Sequence, residues 1–394
     1  MKKFAVALLA STSLCTTVMA ADDAIQVGFV TTLTTGAAVI GNDMRDAVNL
    51  ALDHMDNTMG GKPVEVLFED DGFKPATGKQ ATDKLIKEDD VDIVAGYIWS
   101  HVLMASYRSV LKADKVIISA NAGPSAIAGK LCDPNFFSTS WQNDQTPMAL
   151  GELLNARGVK SLYLMAPNYA AGKDMVAGVE RTFKGDIMGK DLTKWGADAQ
   201  LDFSAELAKA KASGAEGIAV FYPGKAGGAF IKQYQQAGLA DVMPLFTMFT
   251  VDALSLPKLQ EANMTGILGS EMSMFWSPEM DNPANQKFVA GFREKYGRYP
   301  SFYAAQSYDA MNLIKSAADA LDGDFSSTSA VRYELAKANF DSIRGDFEFG
   351  NNHMPIQNFY ARKVVEDADG NWTTEITKTV FEKHQDTYAA TCSM

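Results

Sequence analysis

Apolar residues recur along this chain in two alternating rhythms. Short β-branched runs at 25–31, 64–69, 91–95 and 115–119 have the character of buried strands. Between them lie stretches with apolar positions three and four apart. Met44, Ala47, Val48, Ala51 and Met55 form one such stripe, the mark of a helix with a single buried face, and Gly60-Gly61 ends it. A second helix is predicted over 76–87. The alternation resumes after Asn143, with helices predicted over 148–156, 173–183, 203–212 and 226–237 and strands over 161–166 and 217–222. Strands alternating with helices of this length make βαβ units on a parallel sheet. Two such runs, before and after about residue 140, predict an α/β fold of two doubly wound lobes. The last third changes character. Helices at 284–296 and 303–321, with Pro300 between them, precede strand-like stretches at 346–349, 357–365 and 372–379. A tail of this kind can add to both lobes, which would require the chain to cross between them more than once.

Length and charge narrow the classes. The chain has 394 residues, too many for one ordinary core. Its formal net charge of −12 argues against a nucleic-acid partner, which needs a positive surface to displace counterions, and against docking on anionic lipid. Lys2 and Lys3, the apolar stretch from Phe4 to Val18 and the small residues around Ala20 read as a secretory signal over residues 1–21, cleaved after Ala20 or Ala21. Cys15 follows Leu14, too large for a lipobox, and is read as an ordinary signal residue. No later segment is apolar for 18 residues, so direct membrane insertion is not expected. Cys132 and Cys392 then remain, and in an exported chain they are expected to form a disulfide, the alternative being two free buried thiols.

In open parallel sheets ligands sit beyond the carboxyl ends of the strands. The loops at those places carry Tyr97, Trp99, Ser100 and His101, then Asn121, Ala122 and Gly123, then Tyr169, then Phe221 and Tyr222, then Phe249. Together they set aromatic rings beside small hydroxyl, amide and glycine residues. Rings bury area against a flat ligand, and small residues let helix-start N–H groups approach an anion, so the set predicts a small-molecule pocket. The bland alternative for any one ring is that it only plugs its lobe. Catalytic signatures are missing. His54, His101, His353 and His384 are not spaced as metal ligands, no Gly-x-Ser-x-Gly elbow occurs, and Gly172-Lys173-Asp174 lacks the rest of a phosphate loop. Neither an enzyme nor a cofactor is expected, and His101 is read as a hydrogen-bonding group in the pocket.

Several segments in order resemble the type I periplasmic solute-binding proteins of the leucine/isoleucine/valine-binding kind, the receptors of ABC importers. They are Ile25-Gln26-Val27-Gly28, Glu69-Asp70-Asp71, Val94-Ala95-Gly96, Ile118-Ser119-Ala120-Asn121-Ala122, the stretch from Lys232 to Leu239, and Tyr308-Asp309-Ala310. The resemblance implies two Rossmann-like lobes, 22–141 plus 275–344 and 142–274 plus 345–394, joined by a three-crossover hinge that closes on a ligand. It implies a periplasmic monomer that hands a small molecule to permease subunits in the inner membrane, with a periplasmic sensory receptor as the alternative. Ser100 and residues 121–123 would hold a carboxylate, while Tyr169 and Tyr222 would close over the ligand, and Tyr303 adds a further ring to a pocket more aromatic than an aliphatic amino acid needs. The family's amino-acid binders place an acid, for the ammonium, where this chain has Phe249. Either a nearby acid such as Asp252 or Glu271 substitutes, or the ligand lacks an ammonium, as an aromatic carboxylate or an amide does. Trp99→Ala and Asn121→Ala are expected to weaken binding with little loss of fold, as measured by calorimetric titration beside thermal unfolding.

Overall fold

The computed structural model describes residues 24–196 and 198–394, so the predicted signal segment lies outside the described residues. The chain opens with β1 (Ile25–Thr31), α1 (Ala38–His54), the short hairpin of β2 (Thr58–Met59) and β3 (Lys62–Asp70), and α2 (Pro75–Lys87). There follow β4 (Ile93–Gly96), α3 (Ser100–Lys112), β5 (Val116–Ser119), α4 (Ser125–Ala128) and β6 (Phe136–Ser138). These six strands make one sheet, ordered β2-β3-β1-β4-β5-β6, parallel except for the β2–β3 hairpin. The central β4 and β5 are buried at every position, as their unbroken apolar runs require. The predicted stripe of α1 is the face it buries: Met44, Ala47, Val48 and Ala51 are fully enclosed.

A second sheet follows. It is built from α5 (Gln145–Arg157), β7 (Ser161–Pro167), α6 (Ala170–Thr182), β8 (Asp186–Thr193), α7 (Ser204–Ala212), β9 (Gly217–Val220) and α8 (Lys225–Gln236). The run closes with β10 (Leu245–Thr247), α9 (Leu256–Glu261) and β11 (Glu271–Met274). Its parallel order is β8-β7-β9-β10-β11. β8 was not predicted. It is an edge strand that exposes alternate residues, several of them charged, so it carries no apolar run to read.

The tail behaves as a returning chain. α10 (Pro283–Tyr296), α11 (Phe302–Ala320) and α12 (Thr328–Ala336) pack on elements of the first sheet: α10 and α11 on α1, and α12 on β5. Then β12 (Glu348–Phe349), β13 (Pro355–Glu366) and β14 (Trp372–His384) extend the second sheet, β13 running antiparallel to β11. The chain therefore passes between the sheets three times, at 139–144, 275–282 and 337–347. Cys132 and Cys392 are joined by a disulfide, which fastens the end of the tail to the segment after α4.

One buried cation ties the three passages together. Arg344, on the third, donates to the carbonyls of Thr139 (2.6 Å) and Ser140 (3.0 Å) on the first. Its guanidinium lies 5.5 Å from the ring centroid of Phe275, on the second passage. It pairs with Asp309 of α11 at 3.0 Å and donates to Gln357 of β13 at 2.9 Å. Asp309 also accepts from the Ser342 hydroxyl (2.7 Å) and the Ile343 N–H (3.1 Å). A buried pair this fully bonded is costly to break from one side, because the remaining charge has no water to turn to. Arg344→Met is expected to cost about 3–5 kcal/mol of unfolding free energy, read from urea denaturation.

Candidate ligand-binding cleft

The strand ends of the two sheets face each other across a narrow cleft. β4 stops at Gly96, which has φ +108° and no room for a side chain, since a Cβ would stand 2.2 Å from the Val30 carbonyl. The turn that follows delivers Ile98 and Trp99 to the cleft and starts α3 at Ser100; the Ser100 and His101 N–H groups precede the first backbone bonds of the helix, which run from Val102 (3.0 Å) and Leu103 (2.9 Å) to the Trp99 carbonyl. After β5, Asn121 and Ala122 line the same space. Gly123 stands behind them; a Cβ there would meet the Trp141 carbonyl at 1.9 Å. Tyr303 of α11 completes the first lobe's side. The second lobe contributes Tyr169, Ala171, Met175, Phe221, Pro223 and Phe249. Trp141 and Asn143 enter from the first chain passage. The side chains close on one another here and leave a space of only about 10 Å³, barely room for one water, so a ligand enters only when the lobes part.

Its walls are aromatic. The Trp141 and Phe249 rings stack at 4.6 Å with 18° between planes. Tyr169 lies parallel to Phe221 at 6.3 Å and to Trp195 at 5.5 Å. Trp195 in turn meets Phe73 (5.4 Å) and Trp99 (5.7 Å) of the first lobe edge-on, which roofs the cavity. Phe249 holds φ +52°, a conformation uncommon for a bulky side chain and a mark of local backbone strain.

The polar atoms are mostly donors. Trp141 Nε1 is buried and has no acceptor among the described residues. The Ser100 Oγ accepts from Asn143 Nδ2 at 3.1 Å, which leaves its own O–H to give. No Asp, Glu, Lys or Arg side chain among the described residues lines the cavity. The two acids considered as substitutes for the Phe249 position are occupied elsewhere. Asp252 Oδ1 accepts from the Leu254 and Ser255 N–H groups (both 2.9 Å) and lines a different groove. Glu271 is bound to Arg157 on the outer face.

Of the residues predicted from sequence, Trp99, Ser100, Asn121, Ala122, Tyr169, Phe249 and Tyr303 come together here. Four others do not. Tyr97 turns into the first lobe, its hydroxyl 2.7 Å from that of Thr82. Tyr222 packs against Phe203 (4.7 Å) and Phe230 (5.5 Å) inside the second lobe. Phe221 and Tyr222 are neighbours at a strand end, where successive side chains face opposite sides, so only one can reach the cleft. His101 packs between Phe73 and Tyr169, and burial lowers its pKa to about 4, leaving a neutral ring. Gly123 acts through its backbone, donating to Asn143 Oδ1 at 3.2 Å. Trp141 and Asn143 escaped the sequence reading because they sit in a passage between lobes and not after a strand that leads into a helix of its own lobe.

Residues 24–371 match the periplasmic binding protein family, and the chain belongs to it. Among its relatives is Leu/Ile/Val-binding protein homolog 6 of Brucella abortus (strain 2308), 28% identical over 98% of both chains. An ABC-transporter solute-binding protein from R. palustris, solved in complex with benzoate, is 27% identical with a TM-score of 0.87, covering 94% of this chain and 100% of that one. Another, from Rhodopseudomonas palustris BisB5 and solved with 3,4-dihydroxy benzoic acid, is 25% identical with a TM-score of 0.83, covering 93% and 99%. Among the described residues no helix is long and apolar enough to cross a membrane.

The expectation for Asn121 changes with the geometry. Its amide donates to the Ile98 carbonyl at 2.6 Å, and its oxygen accepts from Gln306 at 2.5 Å. Asn121→Ala strands both buried partners. It is expected to cost about 1–3 kcal/mol of stability in chemical denaturation, with any loss of ligand binding secondary.

Proposed function

We propose that this protein is the periplasmic substrate-binding component of an ABC importer and that its cleft captures an aromatic carboxylate of the benzoate class. The observation that carries this reading is the donor-rich aromatic cavity with no charged side chain in its lining. An amino acid would bury its ammonium here without a carboxylate to meet it, at a cost of several kcal/mol. A benzoate brings the opposite demand. Its ring can pack against the flat aromatic walls once the lobes part to admit it, and its carboxylate needs N–H and O–H donors. Trp141 Nε1, the Ser100 hydroxyl and the start of α3 supply them. The ligands of the two Rhodopseudomonas relatives support the same class.

The protein works by binding alone. The first lobe (22–141 plus 275–344) takes up the ligand in the open form, and the second (142–274 plus 345–394) rotates in and adds its rings. The closed monomer then docks on the permease subunits, and docking reopens the cleft. Export by cleavage after Ala20 or Ala21 belongs to the same reading.

A ligand that binds only the native state must raise its melting temperature, by the equivalent of about 2.7 kcal/mol at a hundredfold excess over Kd. Benzoate and its hydroxylated relatives are expected to shift the unfolding of the purified protein in a thermal scan. A shift with leucine, isoleucine or valine and none with benzoate overturns the ligand assignment. Trp141→Phe keeps the stack on Phe249 and deletes the donor. In calorimetric titration it is expected to weaken benzoate at least about tenfold, the usual worth of a hydrogen bond to a charged group.

A further inference from the structure

Asp174 does not line the cavity, yet it is wired to it. It stands on α6, in the second lobe, just past the helix's first turn, and its carboxylate reaches across to the first lobe. Oδ1 accepts from the Ser125 hydroxyl at 2.9 Å, and Oδ2 from the Ser125 N–H at 3.2 Å. Oδ2 also accepts from Asn143 Nδ2 at 2.9 Å. That same amide nitrogen donates to Ser100 Oγ at 3.1 Å, while Asn143 Oδ1 accepts from the Gly123 N–H at 3.2 Å. The chain of bonds thus runs from a second-lobe carboxylate, through an amide in the passage between lobes, to a hydroxyl that lines the ligand cavity.

The direction of those bonds follows from the end group. An ionised carboxylate only accepts, so Asn143 must turn its NH₂ toward Asp174, and one N–H of that group then falls on Ser100. A flipped amide would set a carbonyl against the carboxylate. With one lone pair engaged, the Ser100 hydroxyl has its proton free for the cavity. We propose that Asp174 is a positioning residue: as the lobes close, it orients Asn143 and so sets the Ser100 hydroxyl as a donor to the ligand's carboxylate. This rests on the reading of the cavity as an anion site.

The setting of Asp174 fits that role. The carboxylate is half-buried with neutral donors only, and no cation pairs with it among the described residues. Burial raises its pKa to about 6, with Asp144 adding like-charge repulsion. The Gly123 N–H holds the oxygen end of the Asn143 amide and the Asp174 carboxylate holds its NH₂ end, so together they leave the amide one orientation.

The test is a double-mutant cycle on the full-length mature protein, with Kd for benzoate and for leucine measured by calorimetry on wild type, Asp174→Ala, Ser100→Ala and the double variant. Asp174→Ala is expected to weaken benzoate about tenfold in the wild-type background and less than about threefold once Ser100 is already alanine. Equal losses in both backgrounds would make Asp174 a latch acting through Ser125 alone and would overturn the proposal, as would an unchanged Kd. Asp174→Leu, which offers Asn143 no acceptor, provides the same comparison if the alanine variant folds poorly. Should wild type bind leucine and not benzoate, the ligand class falls, and the cycle measured on leucine still decides whether Asp174 acts through Ser100.

Discussion

Everything the cleft does depends on three chain passages moving as one, and Arg344 is what binds them. A single guanidinium holds the carbonyls of residues 139 and 140, faces Phe275 and pairs with Asp309 of α11. Its planar fork can satisfy several acceptors in fixed directions at once, which a lysine could not do. The pair is deeply buried, so its attraction is poorly screened, and so is the penalty for losing either member. The result is a stiff junction whose neighbours on the first passage, Trp141 and Asn143, are delivered to the cavity in a set position.

The cavity shows what that stiffness is for. Trp141 presents a buried N–H with no acceptor, and Ser100 an O–H with none, while aromatic faces crowd the space between. Unpaired donors in a low-dielectric site are a standing cost that only an acceptor can relieve. Placing the cost in the protein means that a ligand bringing an acceptor recovers it on binding. A ligand bringing a further donor, such as an ammonium, adds to it instead. On the proposed reading, selectivity for anionic rings over amino acids needs no repelling side chain: Phe249 stands where an acid was expected and stacks on Trp141.

Much of this was legible before any coordinates. The βαβ rhythm is local and periodic, so the two sheets, the returning tail and the α1 face follow from spacing alone. The loops at strand ends were findable because chain order places them there in any doubly wound sheet. Phe249 stood out because an acid was expected in its place. The exposed edge strand β8 was not legible, because a strand that buries little has no apolar signature. Tyr97 and Tyr222 were chosen by residue type, and type does not say which way a ring turns at the end of a strand.

By itself, then, the sequence determined the alternating architecture and the loops at the strand ends, because both are written in near-neighbour patterns, while the missing acid at Phe249 was visible only through the family resemblance. Only the tertiary structure decided which members of those loops share one cavity. It also decided that Trp141 and Asn143 join them from a passage between lobes, that Asp252 and Glu271 are committed elsewhere, and that Asp309 is the counter-ion of the hinge. Those outcomes depend on contacts between residues far apart in the chain, where burial and the direction of each donor are set by packing and leave no trace in local spacing.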